Sequence, residues 1–192
     1  GFPVTGETPA PDGVGRFVHF QHGSVYWTPQ TGAYAIPGDM FAAWGENGYE
    51  GGDLKYPVAE ANQVGKGYVQ KFQGGFLTRN PDGKHFIVHG AIAEKYGEIG
   101  TATSELGYPT ANEVAVKGGF FQAFEHGNIY WSAATGAHTV LTGDIFDATG
   151  LMFSSGAACA GAPAITTRRP RSAALRPQAT MSSGMRWAET TS

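Results

Sequence analysis

Apolar stretches recur along this chain with one spacing. Each stretch closes on a phenylalanine, at Phe20, Phe72 and Phe124, and these are 52 residues apart. A glycine follows three residues after each of them. A repeat of this length indicates an array of similar units, each of which needs its neighbours for stability. The predicted units are residues 1–53, 54–105 and, truncated, 106–150.

The first elements of each unit are predicted to be the two strands of a hairpin. In unit 1, residues 15–20 and 24–28 are rich in aromatic and β-branched residues on either side of His22-Gly23, which is typical of a β-hairpin. Two positions are apolar in every unit and form the predicted core. They are Phe17, Val69 and Phe121, and Val25, Leu77 and Ile129. The repeated phenylalanine lies three residues after the first position, which breaks strict alternation, so we expect a β-bulge between them.

A third strand and a short helix complete each unit. Extended segments are predicted at residues 33–36, 85–88 and 137–141. Apolar residues four apart, such as Met40 and Trp44, then predict two helical turns. These helices are expected between glycines, at residues 38–45, 90–97 and 143–150. Asp39 and Asp144 fit the first turn, and the closing glycines fit the left-handed position after a helix.

The predicted fold class is therefore an α+β repeat array. Each unit has two or three short antiparallel strands and a helix that is too short to persist alone. Such a helix must pack on its own hairpin or on the next unit.

The composition changes abruptly after residue 150. Residues 151–192 contain five arginines, no lysine and one glutamate, so they carry a charge of +4 against −7 for residues 1–150. With few large apolar residues, this tail is expected to be disordered, either as a basic linker or as an out-of-frame or vector-derived extension. The chain also begins inside a repeat motif without an initiator methionine, which indicates a fragment or a processed product.

The residue content argues against several classes of function. The array is mildly acidic, whereas nucleic-acid binding requires a basic face, and no apolar run is long enough to cross a bilayer. The single cysteine, Cys159, lies in the tail, so the array has no disulfide framework. His19 and His22 are expected to point to opposite faces of the hairpin. The chain also has no G-x-S-x-G nucleophile motif and no glycine-rich phosphate loop. We predict no catalytic residue, no metal site and no cofactor.

The repeated sequence motifs resemble the LGFP repeat of actinobacterial cell-wall proteins. The resemblance covers residues 1–150. It rests on Gly1-Phe2-Pro3, Leu106-Gly107-Tyr108-Pro109, Ile129-Tyr130-Trp131 and the four-residue motifs that begin at Phe20, Phe72 and Phe124. Unit 2 departs from it, with Thr78-Arg79 in place of Tyr-Trp. In that family the repeats accompany mycolyltransferases and peptidoglycan amidases and pack pseudo-symmetrically, in a propeller-like arrangement.

The resemblance implies a secreted, wall-associated, non-catalytic module. Such a module would anchor an attached enzyme to arabinogalactan or peptidoglycan polysaccharide. Two alternatives remain: a structural spacer that stabilises an attached catalytic domain, and a free-standing wall hydrolase.

Aromatic and planar polar side chains are the candidate carbohydrate-binding residues, because rings cover the apolar faces of sugars and amides or carboxylates bond their hydroxyls. The candidates are Tyr26, Trp27, Gln21, Gln73, Arg79, Tyr130, Trp131, Asp39 and Asp144. The other interpretation of Trp27 and Trp131 is a core role. Arg79 occupies the same position in unit 2 and favours an accessible site, since arginine is rarely buried in a dry interior. Trp44 is expected to be structural, and Glu7 and Glu113 to cap or stabilise turns.

Overall fold

Three four-stranded antiparallel sheets follow one another along the chain in the computed structural model, which describes residues 1–142. Unit 1 contains β1 (Thr8–Pro9), β2 (Arg16–Phe20), β3 (Gly23–Thr28), β4 (Gly32–Pro37) and helix α1 (Gly38–Glu46). Unit 2 contains β5 (Asn62–Val64), β6 (Gly67–Phe72), β7 (Gly75–Arg79), β8 (His85–His89) and helix α2 (Gly90–Glu98). Unit 3 contains β9 (Val114–Val116), β10 (Gly119–Phe124), β11 (Gly127–Ser132) and β12 (Gly136–Leu141). The helix predicted at 143–150, Asp144 and the tail lie outside the described residues.

The α+β repeat array is confirmed, with one more strand per unit than the pattern predicted. The hairpin, the third strand and the helix occur where expected in units 1 and 2. The additional strand is the two- or three-residue β1, β5 or β9, which precedes the hairpin and pairs with its first strand. It is too short to give a sequence period. The propeller-like arrangement of the units stays a prediction.

The predicted β-bulge is wrong, because the hairpin register is unbroken in all three units, and in unit 2 both faces of the sheet are covered. The β6–β7 register runs unbroken from Tyr68↔Arg79 to Phe72↔Gly75. Val69 packs with the cluster around α2, the helix of its own unit. Phe72, three residues on, packs with the cluster around α1, the helix of the preceding unit. Residues on opposite faces can therefore both be buried without a change of register.

Each described helix joins two units. Trp44 of α1 stacks edge-on to Tyr26 of its own sheet at 4.8 Å and lies 5.6 Å from the Phe72 ring of unit 2. In the same way, Tyr96 of α2 lies 5.9 Å from Phe76 and 4.9 Å from Phe124 of unit 3. The structural role predicted for Trp44 is confirmed, since its side chain is fully buried.

Two polar side chains of the following unit bond to the outer strand of each preceding sheet. Gln70 Nε2 donates to Ala35 O at 2.8 Å, and the Glu60 carboxylate accepts from Ala35 N–H at 3.3 Å. The arrangement recurs one unit later. Gln122 Nε2 donates to Ile87 O at 2.8 Å, and Asn112 Oδ1 accepts from Ile87 N–H at 3.1 Å. We call each pair, Gln70 with Glu60 and Gln122 with Asn112, an edge clamp.

The prediction that Gly45 and Gly97 occupy left-handed positions is wrong. Both lie inside their helices, which continue to Glu46 and Glu98. A Cβ on Gly45 would come within 2.5 Å of the Tyr49 ring, so close packing requires that glycine. The left-handed glycines that follow the two helices are Gly48 and Gly100, at φ of 88° and 99°, which lead into short 3₁₀ turns.

Candidate functional site

The two aromatic residues predicted to bind sugar in unit 1 lie on opposite faces of β3. Tyr26 is only 4% exposed, because α1 covers it with the Trp44 ring. Tyr26 is therefore unable to serve as an exposed platform, and that part of the prediction is wrong. Burial raises the pKa of its phenol, with smaller contributions from Glu50 and Tyr49. Trp27 points the other way and is 41% exposed.

The position of Trp27 is an interface position in the other two units. Its counterpart in unit 2 is Arg79, whose Nε lies 2.8 Å from Asp39 Oδ2 on α1. Its counterpart in unit 3 is Trp131, which packs against the cluster around α2. Only unit 1 therefore presents this position openly among the described residues, and units 2 and 3 do not offer an equal site.

A groove of about 430 Å³ surrounds Trp27. Its lining residues are Glu7, Arg16, Phe17, Val18, Val25, Trp27 and Ala33. Arg16 is the direct cross-strand partner of Trp27, so the two side chains share one face of the sheet. Arg16 forms an ion pair with Glu7, and both side chains are about half exposed. We call this surface the Trp27 face.

The sequence analysis missed Arg16 and gave Glu7 only a capping or turn role. Glu7 lies next to β1, and Arg16 begins β2. The ion pair therefore depends on the pairing of Pro9 with Arg16, in a strand that the sequence pattern did not reveal. A charged residue opposite a tryptophan across a hairpin is the signal that would have found the pair.

Asp39, Arg79 and His85 meet at the junction of units 1 and 2. The Arg79 guanidinium also lies over the Tyr68 ring, at 5.8 Å from its centre. His85 Nε2 lies 3.7 Å from Asp39 Oδ2, which is too far for a hydrogen bond. Arg79 and Asp39 thus bind each other, and Arg79 does not indicate that Trp131 is accessible. The core interpretation suits Trp131 better.

The glutamines after the repeated phenylalanines hold the opening motif of their units. Gln21 Oε1 accepts from Phe2 N–H at 3.1 Å, and Gln73 Oε1 accepts from Tyr56 N–H at 3.2 Å. Glu125 makes the same contact with Tyr108 N–H at 2.9 Å. The structure does not bring Gln21 or Gln73 into the groove around Trp27.

Tyr130 is separated from Trp131 by the sheet, as Tyr26 is from Trp27. It is 41% exposed and stacks on Phe121 at 5.4 Å. The residues that follow Thr142 lie outside the described part of the chain, so Tyr130 is left out of the candidate site.

A second and larger groove, of about 880 Å³, lies beside α2. It exists because Ala93 and Thr101 replace the rings that Phe41 and Tyr49 supply at the same positions in unit 1. The two rings that line it, Phe72 and Phe76, are only 1% and 8% exposed. The groove therefore has no exposed ring on which a sugar can stack.

A contact between units 1 and 2 also perturbs two titratable groups. Tyr56 Oη donates to Asp12 Oδ1 at 2.8 Å. Burial and this hydrogen bond raise the pKa of Tyr56. Burial acts to raise the pKa of Asp12, but hydrogen bonds from Val14, Tyr56 and Gly15 outweigh it and lower that pKa. The pair serves the junction and lies outside the Trp27 face.

Among residues 1–142 there is no cluster of histidine, cysteine and acidic side chains suited to a metal ion. Within the same part of the chain, no helix is long and apolar enough to cross a membrane.

The sequence of the repeated unit matches a known family. The family model of the LGFP repeat matches residues 1–52, 54–104 and 106–148. The chain belongs to the LGFP repeat family. A search of curated proteins gave no match. The three LGFP units correspond to the three sheets, and in the described LGFP units the Trp27 face is the open aromatic surface beside an ion pair.

Proposed function

We propose that this LGFP array is a non-catalytic module that binds cell-wall polysaccharide through the Trp27 face. In this role it holds an exported enzyme at the wall, with the LGFP units arranged about a common axis in a propeller-like way. The observation that carries the proposal is the exposed indole of Trp27 beside the Arg16–Glu7 ion pair.

The chemistry of the Trp27 face suits a sugar. An indole offers a flat apolar surface to the C–H face of a pyranose or furanose ring. Arg16 supplies donors and Glu7 supplies acceptors for the hydroxyl groups at the rim. An exposed ion pair stabilises a protein by only about 0–1 kcal/mol, so exchanging part of it for contacts with hydroxyl groups costs little.

One open face of this kind binds weakly. A dissociation constant of roughly millimolar corresponds to about −4 kcal/mol. The wall presents many equivalent sugars at a high local concentration, so one open face stays occupied in spite of its weak affinity. The wall, rather than a free oligosaccharide, is therefore the appropriate ligand for a test.

Trp27→Ala is expected to abolish co-sedimentation of the full chain with arabinogalactan–peptidoglycan, because it removes the stacking surface. Trp27→Tyr should retain part of the binding. Phe2→Ala is the matched control: Phe2 is 78% exposed, but it contacts Gln21 at the hairpin turn, and Trp27 lies four residues along β3 from that end. It should bind as the unaltered chain does. Circular dichroism should be unchanged in all three variants.

Three outcomes separate the possibilities. Loss of binding for Trp27→Ala alone supports the proposal, and removal of arabinogalactan from the wall then identifies the polymer. Equal binding by Trp27→Ala and the unaltered chain contradicts the assigned site. Absence of binding by the unaltered chain contradicts wall attachment altogether.

A structural spacer is the second candidate. It is favoured by the fact that the equivalents of Trp27 in units 2 and 3, Arg79 and Trp131, both contact a neighbouring unit. In that case the Trp27 face would contact an attached catalytic domain. Trp27→Ala would then lower the melting temperature of the fused protein without affecting sedimentation with wall.

A further inference from the structure

The edge clamps imply a preferred partner at the third sheet. Ala35 in β4 and Ile87 in β8 each have both backbone groups bonded by side chains of the following unit. The equivalent residue of β12 is Thr139. It pairs with Ile129 as Ile87 pairs with Leu77 and Ala35 pairs with Val25. Its N–H and C=O therefore point away from β11, as those of Ala35 and Ile87 point away from β3 and β7.

The backbone N–H and C=O of Thr139 are accessible for the same contact. β12 is an end strand of the third sheet, and Thr139 is exposed. Among residues 1–142, no side chain takes the place of a clamp there. An end strand with open backbone groups favours the docking of another chain segment.

We propose that the outer edge of β12 docks one further LGFP unit. That unit is recognised by a glutamine at the position of Gln70 and Gln122, which donates to Thr139 O. An asparagine or glutamate at the position of Glu60 and Asn112 accepts from Thr139 N–H. The interface continues the two that already join units 1, 2 and 3.

A second copy of this chain does not supply such a unit. β1 pairs Thr8 with Phe17 as β5 pairs Asn62 with Val69. This register places Gly6 where unit 2 has Glu60, and Val18 where it has Gln70. Unit 1 thus has neither side chain of a clamp, and units 2 and 3 already use theirs within the chain. The missing clamp in unit 1 prevents the head-to-tail contact that would otherwise generate open filaments.

The experiment gives unit 1 a clamp. The full-length variant Gly6→Asn/Val18→Gln is compared with the unaltered chain by sedimentation velocity over a broad concentration range. We expect the sedimentation coefficient of the variant to rise with concentration, and that of the unaltered chain to stay constant. Adding Thr139→Pro to the variant removes the N–H that the clamp needs. It leaves the pairing with β11 intact, because that N–H points outward, and should abolish the rise.

Amide hydrogen exchange provides a second readout. In the unaltered chain, the N–H groups of Ala35 and Ile87 should exchange slowly and that of Thr139 rapidly. In the Gly6→Asn/Val18→Gln variant at high concentration, Thr139 should become protected. A variant that sediments as the unaltered chain does and leaves Thr139 unprotected overturns the proposal. Concentration-dependent association of the unaltered chain also overturns it, since unit 1 would then dock without a clamp.

Discussion

Gln122→Glu is expected to lower the free energy of unfolding by about 3–5 kcal/mol at neutral pH. Gln122 is fully buried between units 2 and 3. Its amide nitrogen donates to Ile87 O at 2.8 Å and to Ala111 O at 2.9 Å. A carboxylate has no proton to donate, and it places a negative charge against two carbonyl oxygens away from water.

The loss should depend on pH with a defined sign. Burial and the two carbonyl oxygens hold the folded-state pKa of the introduced carboxyl above its unfolded value of about 4.3. The carboxyl is neutral in both states below the unfolded pKa, so the variant is most stable there relative to the unaltered chain. The difference widens as pH rises through the folded pKa. Urea denaturation at a series of pH values measures this.

The chain offers a matched control in Gln73→Glu. Gln73 is exposed, and unit 3 already has Glu125 at the same position, with the same contact to the opening motif of its unit. This change should alter stability by less than about 0.5 kcal/mol. Equal losses for Gln73→Glu and Gln122→Glu, or a loss for Gln122→Glu that is independent of pH, would contradict the clamp geometry.

Trp44→Ala is expected to cost about 3–5 kcal/mol, since it leaves a cavity at the junction of units 1 and 2. The indole contacts rings of both units, with Tyr26 at 4.8 Å and Phe72 at 5.6 Å. Within residues 1–142 its Nε1 has no hydrogen-bond partner, so we expect the loss to be one of packing. Chemical denaturation followed by circular dichroism gives the magnitude.

Trp27→Ala is the appropriate comparison for Trp44→Ala. It removes the same side chain from a partly exposed position and should cost much less. If the two variants lose similar stability, then Trp27 is part of the core and the open face described above does not exist.

The hairpin and the third strand of each unit, and the helices of units 1 and 2, could be predicted because they depend on local signals, whereas the short β1, β5 and β9 could not. Met40 and Trp44 lie four apart and predict a helix, and glycines mark the turns between strands. The prediction of a bulge between Val69 and Phe72 is wrong because of packing between units, which local signals do not show. A single sequence does not reveal that the helix of the preceding unit covers the second face of a sheet, so both residues become buried in a regular strand.

The candidate site could be predicted only in part for the same reason. Adjacent residues of a strand lie on opposite faces, so Tyr26 and Trp27 could not both be exposed on one surface. Which of them is covered depends on where α1 packs. Arg79 gave a misleading signal of exposure, because its partner Asp39 lies 40 residues away along the chain and comes near only in the fold.

Polysaccharide that binds on the Trp27 face should contact Trp27 and leave the interface tryptophans, Trp44 and Trp131, untouched. Fluorine NMR of the chain labelled with fluorotryptophan tests this most directly, with signals assigned from single Trp→Phe variants. On titration with arabinogalactan, the signal of Trp27 should shift, and those of Trp44 and Trp131 should stay in place. An unchanged Trp27 signal, or a shift at Trp44 or Trp131 without one at Trp27, would mean that the Trp27 face does not bind the polysaccharide.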